Sequence, residues 1–212
     1  SYSATTGAPD QYRIDWDAAA ETAGMVDVAP SALPVSPIPI TGIPLAPGTY
    51  NGTLYVISTG TTCESIGDAI SVVVEDLPTI TLGLAPSVCA GVTNTGLAYS
   101  ATTGTPDQYR IDWDAAAEAA GMVDVPSSAL PATPIPVTGI PVAPATYNGI
   151  LYVANSGTTC ESVGDPISVT VIDLPTITLD ASPSVCIGTA NSSIGYSATT
   201  GTPDQYRIDW DA

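Results

Sequence analysis

Residues 99–114 read Tyr-Ser-Ala-Thr-Thr-Gly-Thr-Pro-Asp-Gln-Tyr-Arg-Ile-Asp-Trp-Asp, and this segment occurs three times in the chain. It returns at residues 196–211 and, with alanine in place of Thr105, at residues 2–17. The copies are 97 residues apart, which is the size of a small domain and much longer than the unit of a solenoid. The sequence therefore predicts a tandem array of whole domains, and we expect the 212 residues to be a window of a longer array.

The second half of the segment has the pattern of a half-buried β-strand. Tyr109, Ile111 and Trp113 fall on one face of such a strand, and the charged residues between them fall on the other. Aromatic and β-branched side chains on one face favour packing in a core. The equivalent tryptophan of each copy is therefore expected in a domain core: Trp16, Trp113 and Trp210.

The residues that follow the strand predict a short helix. Asp114 suits the N-cap, residues 115–120 are five alanines and one glutamate, and Gly121 suits the left-handed residue after the last turn. Alternating polar and apolar residues predict further strands, including 78–82 at the start of a copy and 167–172 at its end.

The remaining pattern favours an all-β fold. Six prolines from residue 126 to residue 144 leave few backbone donors, which excludes a central strand, so this stretch is expected to be extended, edge-like or polyproline-like. About seven short strands per copy, with turns between them, indicate a two-sheet sandwich with one short helical turn. Turn residues at 76–78 and 173–175 mark the joints between copies. The expected domains are a C-terminal part at residues 1–76, a complete domain at 77–174 and an N-terminal part at 175–212.

The composition excludes several classes of partner. Twenty-one acidic residues are balanced by only three arginines, which gives a formal charge of −18. Nucleic acids and anionic membrane surfaces bind clustered Lys and Arg, so neither is expected as a partner. Hydrophobic residues make up 44% of the chain, enough for a core in each copy. No apolar run has the roughly 20 residues that span a bilayer.

Four cysteines repeat with the same spacing. The predicted domain at 77–174 contains Cys89 near its beginning and Cys160 near its end, so we expect these two to form a disulfide. Cys63 and Cys186 would then pair with cysteines outside the window. Closing a loop of about 70 residues contributes on the order of 4 kcal/mol in the chain-entropy model, and such bonds indicate an extracellular setting. The alternative is that the four are free thiols.

A likeness to known repeats adds to this interpretation. The order of Cys89, Trp113 and Cys160 is similar to the immunoglobulin arrangement, in which a buried tryptophan packs against an inter-sheet disulfide. The whole repeat also resembles the PKD-like and immunoglobulin-like repeats of large surface proteins of the phylum Bacteroidota. The motifs that carry this resemblance are Pro-Ser-Val-Cys-Ala-Gly at 86–91, Tyr-Ser-Ala-Thr-Thr-Gly-Thr-Pro-Asp-Gln-Tyr at 99–109, Ile-Asp-Trp-Asp-Ala-Ala-Ala at 111–117 and Thr-Tyr-Asn-Gly at 146–149.

The resemblance implies a secreted or cell-surface array that serves adhesion, gliding or filament formation and is exported by the type IX route. The partners it implies are neighbouring repeats of the same chain, laterally associated copies, and glycans or other cells. It implies no enzyme activity. Function would then reside in the array, as a semi-rigid rod whose proline-containing joints bend little.

The polar residues of the chain do not favour catalysis, and the candidate site that they offer is one for calcium. The chain has no histidine, so a serine or cysteine nucleophile lacks its usual base. Calcium takes several oxygen ligands and would offset the negative charge, so it is the candidate cofactor. The candidate ligands in the complete copy are Asp107, Asp112, Asp114 and Glu118. The alternative is that Asp114 caps the helix, Arg110 pairs with Asp112, and the other carboxylates are solvated.

Exposed tyrosines are the second candidate binding feature. A carbohydrate-binding module would present an aromatic patch that recurs in each copy. Tyr109, Tyr147 and Tyr152 also suit core or corner positions of a sandwich, so the sequence leaves both interpretations open.

Near-identical neighbours also raise the alternative of strand exchange. Residues 175–211 would then complete a domain that another molecule begins near Ser1. We favour a continuous chain. In strand exchange the two ends of the chain would be complementary pieces of one repeat, but residues 196–211 duplicate residues 2–17, so the two ends overlap.

Overall fold

The computed structural model describes residues 1–210, which fall into two compact units. The first unit is Ser1–Leu77 and the second begins at Pro78. The predicted boundary after residue 174 stays a prediction, and Asp211 and Ala212, the last residues of the predicted part at 175–212, lie outside the described residues.

The first unit is a single antiparallel sheet with one short helix. Its elements are β1 (Gln11–Trp16), α1 (Ala18–Thr22), β2 (Val28–Ala32), β3 (Gly48–Ser58), β4 (Cys63–Glu64) and β5 (Asp68–Val74). The sheet order is β2-β1-β3-β4, and β5 also pairs with β3. Tyr12, Ile14 and Trp16 of β1 are buried in a small core cluster. Residues 1–77 contain no second layer of strands.

The second unit contains a complete repeat with two layers of strands. Its elements are β6 (Thr79–Leu82), β7 (Ser87–Cys89), β8 (Asn94–Leu97), β9 (Tyr99–Thr103), β10 (Gln108–Trp113), α2 (Ala115–Ala120), β11 (Val125–Ala129), β12 (Ile135–Thr138), β13 (Ala145–Asn155), β14 (Cys160–Glu161) and β15 (Asp165–Ile172). The larger layer has the order β11-β10-β13-β15-β7, with β14 also on β13. Two further pairs, β6 with β9 and β8 with β12, form the second layer and share the same core.

Two more strands follow the complete repeat. These are β16 (Thr176–Leu179) and β17 (Tyr196–Thr200), which pair only with each other. Their register repeats that of β6 and β9, since Thr176 lies opposite Thr200 as Thr79 lies opposite Thr103. Residues 201–210 form no strand.

The complete repeat is an immunoglobulin-like sandwich, as predicted. Its tryptophan strand, β10, lies between β11 and β13, and Trp113 is only 3% exposed. The Tyr147 hydroxyl donates to the carbonyl oxygen of Ala143 at 2.7 Å, which is the geometry of a tyrosine corner. The short strand β7 runs parallel to the last strand, β15. The repeat contains ten strands, three more than the sequence suggested, because several are only two to four residues long.

Close packing against Trp113 explains a glycine on the neighbouring strand. Gly149 lies directly opposite Trp113 in the β10–β13 pair. A Cβ atom at Gly149 would lie 2.8 Å from Cε3 of the indole ring, so only glycine lets the ring lie flat on β13. The first unit repeats this contact, since a Cβ at Gly52 would lie 2.7 Å from the same atom of Trp16.

Local signals place the helix where the sequence predicts it. An Asp114 carboxylate oxygen accepts a hydrogen bond from the Ala117 amide at 2.7 Å, and Gly121 has a φ of 112° at the C-cap. The first unit repeats the N-cap with Asp17, which accepts from the Ala20 amide at 2.8 Å. Both ends of the helix are thus set by residues within one turn of it.

The strands β8 and β9 are separated only by Ala98. Leu97 lies opposite Ile135 of β12, whereas Tyr99 lies opposite Leu82 of β6, so the chain changes partner at this point. The proline-rich stretch supplies β11 at an edge of the larger sheet and β12 in the second layer. Its prolines are thus kept away from the centre of the larger sheet, as expected.

The predicted disulfide between Cys89 and Cys160 is wrong. Cys89 lies opposite Ile172, just beyond the Ala145 end of β13, whereas Cys160 lies opposite Asn155 at the other end of that strand. Ten residue steps along a strand span about 33 Å, and a disulfide requires Cα atoms within about 7 Å. The two cysteines therefore lie at opposite ends of the repeat.

The likeness to the immunoglobulin arrangement does not extend to the two cysteines. The immunoglobulin disulfide joins the two sheets, but β7 and β14, which carry the two cysteines, belong to the same sheet. Within the chain, none of the four cysteines forms a disulfide: Cys63, Cys89, Cys160 and Cys186. The pairing predicted for Cys63 and Cys186 with cysteines outside the window stays a prediction.

The tryptophan prediction fails in one of the three copies. Trp16 and Trp113 are 4% and 3% exposed, but Trp210 is 80% exposed. The reason is the absence of a counterpart of β13 from the described residues after Pro175. Without the strand that carries the opposing glycine, the indole ring has nothing to pack against.

The contrast between tryptophans gives a stability test with an internal control. Replacing Trp113 with alanine should lower the free energy of unfolding of the second unit by about 3–5 kcal/mol, because a fully packed ring leaves a cavity. Trp210→Ala should change it by less than about 0.5 kcal/mol, since the ring is exposed. Urea unfolding followed by far-UV circular dichroism measures both, and equal losses would contradict the placement of Trp113.

The free thiols predict that reduction leaves the fold unchanged. The unfolding midpoint should be the same with and without dithiothreitol, and Cys89→Ser should cost no more than about 0.5 kcal/mol. A Cys89–Cys160 disulfide would instead make the reduced protein less stable by about 4 kcal/mol. A midpoint that falls strongly on reduction would show that β7 and β14 do not lie at opposite ends of the sheet.

Candidate functional site

The chain enters and leaves the complete repeat at opposite ends of its longest strand. Pro78 lies beside Gly104, where a Cβ atom would be 2.9 Å from the proline Cα. The Asn155 side-chain amide donates to the Gly104 carbonyl oxygen at 3.0 Å, which fixes this corner at the Asn155 end of β13. The last strand leaves at the Ala145 end, where Val171 lies opposite Ala145. The two ends are about 33 Å apart by strand rise.

The four predicted calcium ligands are spread over both ends of β10. Asp107 accepts hydrogen bonds from the Ser156 amide and hydroxyl at 2.8 and 2.5 Å, and the hydroxyl above all lowers the pKa of this carboxyl. Asp114, about 23 Å further along the chain by strand rise, caps α2. A single site built from all four carboxylates is therefore wrong. Among residues 1–210, no group of three or more acidic, cysteine or histidine side chains is arranged to hold a metal ion.

The tyrosines of the repeat are used in packing. Tyr109 and Tyr147 are 7% and 4% exposed and belong to the core. One face of the Tyr152 ring is covered by the Arg110 guanidinium, whose central carbon lies 3.6 Å from the ring centroid. At the ring edge, a Cβ atom on Gly164 would lie 2.7 Å from Cε1, so the backbone also contacts the ring. Of the two interpretations that the sequence left open, these three tyrosines fit the packing role and do not form an exposed aromatic patch.

In both units the arginine of the tryptophan strand contacts an acidic and an aromatic side chain. Arg110 donates to both Glu161 carboxylate oxygens, at 2.6 and 3.1 Å, and lies 3.9 Å from Asp112. In the first unit Arg13 stacks on Tyr55 and donates to Glu64 at 2.5 Å. The sequence signal for this cluster is the recurrence of Arg and Tyr at the same points of two copies, but only the β10–β13 register shows that they meet.

A concave feature of the first unit lies on its sheet. An open cleft of about 590 Å³ has walls that include Leu33, Ile38, Leu54 and Val56. The counterparts of the last two in the complete repeat, Leu151 and Val153, are fully buried. The cleft is thus the face of the first sheet that the second layer covers in the complete repeat. Sequence reasoning did not identify it.

The chain is similar to several solved structures of proteins with repeated domains. No protein-family model and no curated protein matches the chain. Among solved structures, it is similar to the central fibronectin-III array of RIM-binding protein at 10% identity and a TM-score of 0.31, over 86% of this chain and 67% of that one. It is also similar to Drosophila N-cadherin EC1-4, at 10% identity and a TM-score of 0.35, over 71% of this chain and 41% of that one. A third similar structure is that of domains 4 and 5 of the S-layer protein SbsC, at 14% identity and a TM-score of 0.25, over 79% of this chain and 74% of that one.

The Arg110–Glu161 pair gives a pH-dependent prediction. Hydrogen bonds from Arg110 hold the pKa of Glu161 below its ordinary value of 4.5. Because the folded-state pKa is the lower one, the pair stabilises the fold fully above pH 4.5, and this contribution is lost as pH falls through the folded-state value. The side chain is 40% exposed, so solvent screening limits the contribution to about 1 kcal/mol or less.

The measurement compares the wild-type chain with Glu161→Gln across the acid range. The stability difference should be constant near neutral pH and should vanish at acid pH, where both side chains are uncharged. Measuring the difference removes the effect of the other carboxylates, which titrate in both proteins. A difference that grows on acidification would contradict the assignment.

Proposed function

We propose that the chain is a structural region of an extracellular fibre or adhesin stalk, in which immunoglobulin-like repeats are joined end to end into a semi-rigid rod. The observation that carries the proposal is the path of the chain, which enters the complete repeat at the Asn155 end of β13 and leaves at the Ala145 end. Domains connected in this way extend an array lengthwise with each added copy.

The short joints support limited bending. Only three residues separate Ile172, the end of β15, from Thr176, the start of β16. The proline of the preceding joint, Pro78, is almost fully buried and contacts Gly104 within the repeat that it begins. A proline packed into its own domain shortens the segment that is free to rotate, and the charge of −18 adds repulsion that favours extension.

The motif resemblance supports a location on the bacterial cell surface and a role in adhesion, gliding or filament formation. Export by the type IX route is part of the same proposal. In this setting the strength of the complete repeat comes from its packed sandwich, because Cys89 and Cys160 do not form a disulfide with each other. The partners proposed are neighbouring repeats of the same array and the surfaces that the fibre meets.

Concatenated copies of residues 78–174 test the rod. Proteins with one, two and four copies should increase in maximum dimension by a constant step of about 35–40 Å, the length of β13 with its end turns. A compact arrangement would instead follow the much weaker size dependence of a globule. Small-angle X-ray scattering in moderate salt measures this dimension, and a maximum dimension that grows by much less than about 35 Å per copy would overturn the proposal.

A further inference from the structure

The two cysteines of the complete repeat lie at the two ends where the chain enters and leaves it. Cys89 lies opposite Ile172, the last residue of β15. Cys160 lies opposite Asn155, whose side-chain amide donates to the carbonyl oxygen of Gly104 at the corner where the chain enters. The repeat thus carries one thiol at its exit end and one at its entry end.

Neither thiol contributes to the core of the repeat. Cys89 is exposed, Cys160 is partly exposed, and both lie outside the core cluster. Free cysteine in folded proteins is more often fully buried, where it packs as a small hydrophobic residue. Cys63, the counterpart of Cys160 in the first unit, is also exposed. Thiols in such positions are accessible to an oxidant.

Both thiols lie on the same side of β13 in the larger sheet. Ala154 of β13 is paired with Gln108 of β10 on one side and with Glu161 of β14 on the other. Strand β14 is therefore on the side of β15, and β7 lies beyond β15 on that side. Across the sheet, Cys160 and Cys89 thus differ by one strand position, which is about 5 Å.

The joint keeps the exit end of one repeat near the entry corner of the predicted next repeat. Two residues separate Ile172 from Pro175, so the Cα atoms of these residues are at most about 11 Å apart. Pro175 forms the next entry corner, because a Cβ atom at Gly201 would lie 3.0 Å from the Pro175 Cα atom. Gly104 makes the same contact with Pro78 at 2.9 Å. The exit thiol therefore lies near the corner beside which a repeat holds its entry thiol.

We propose that Cys89 forms a disulfide across the joint, with the counterpart of Cys160 in the repeat that follows. The inference rests on the proposed function, because it needs a second repeat placed end to end with the first. Pairing of this kind accounts for two accessible thiols that lie about 33 Å apart within one repeat and so cannot reach each other. Its product is an array in which a covalent bond bridges each joint.

The bond forms by thiol–disulfide exchange with a disulfide oxidant. The thiolate of one cysteine attacks the oxidant, whose S–S bond breaks and releases one thiol. The thiolate of the second cysteine then attacks the mixed disulfide and releases the other thiol. The two cysteines lose two protons and two electrons, and the oxidant takes up both as it is reduced to two thiols. An oxidising cell exterior, as in the proposed setting, preserves such bonds.

The consequence is a joint that is held at two points. The chain connection alone leaves the backbone of Asp173 and Leu174 able to rotate. A second covalent link, from β7 of one repeat to β14 of the next, closes a ring through the joint and holds two Cβ atoms within about 4.5 Å of each other. The ring restricts both bending and twisting of the joint.

Two concatenated copies of residues 78–174 test the bond, since each copy contains both layers of strands and its own core. The inner-pair variant keeps Cys89 of the first copy and Cys160 of the second, and serine replaces the other two cysteines. The outer-pair variant keeps Cys160 of the first copy and Cys89 of the second. The two variants have the same composition, and circular dichroism verifies that both are folded. Each is reduced and then incubated in dilute solution with oxidised and reduced glutathione, and its free thiols are counted over time.

The inner pair should oxidise within one chain at least about a hundredfold faster than the outer pair, because a short connection gives a millimolar effective concentration against micromolar protein. The product should be a monomer that has lost both thiols and two hydrogen atoms of mass. Equal rates in the two variants, or an inner pair that stays reduced, would overturn the proposal. Disulfides that form only between separate chains would assign the thiols to lateral contacts and would overturn it as well.

A longer joint gives a second control. A Gly-Ser linker of about 20 residues between the two copies is a flexible coil that lets the two ends move apart. It should slow oxidation of the inner pair at least about tenfold, because the effective concentration falls with linker length. Unchanged oxidation through the long linker would overturn the proposal, since the short joint is what brings the two thiols together.

The rod and the disulfide can fail separately. Scattering from concatenated copies with serine at every cysteine position measures the rod without the bond. An extended all-serine protein together with an inner pair that stays reduced would retain the rod and overturn the disulfide. A compact all-serine protein would overturn the rod, and the oxidation rates of the two variants would still decide the disulfide.

Discussion

The structure depends on the burial of one apolar sheet face under a second layer of short strands. In the complete repeat, Ile80 and Leu97 from this layer share a core with Leu151 and Val169 of the larger sheet. None of the short strands is long enough to be stable alone. Their pairing and the burial of the face beneath them are therefore one cooperative event. The first unit, which has the sheet without this cover, retains only the smaller core around β1 and α1.

The sequence predicts best those elements that are determined by their own residues. The alternation of Tyr109, Ile111 and Trp113 fixes both the position and the buried face of β10, and it does so again in β1. The capped helix forms in both units because its N-cap contact lies within one turn. The all-β sandwich follows from these signals and the spacing of turns. Residues 2–6, by contrast, have the sequence of a strand and lack its structure, because no partner strand is present.

The predictions that failed required knowledge of distant pairings. Cys89 and Cys160 have a spacing typical of a disulfide, but the parallel pairing of β7 with the last strand places them at opposite ends of one sheet. Asp107 and Asp114 are close in sequence and are kept apart by the length of the extended strand between them. Trp210 has the sequence context of a core residue and is exposed, because a core position exists only where its opposing strand does.

The central claim is that the second layer forms strands only when both partners are present, and hydrogen exchange tests it within a single molecule. Residues 38–41 and 135–138 have nearly the same sequence, so their unfolded exchange rates are closely similar. In dilute solution, the account predicts strong protection of those amides in residues 135–138 that donate to β8, and little protection of the amides at the same positions in residues 38–41. Equal protection of the two segments under these conditions would contradict the account.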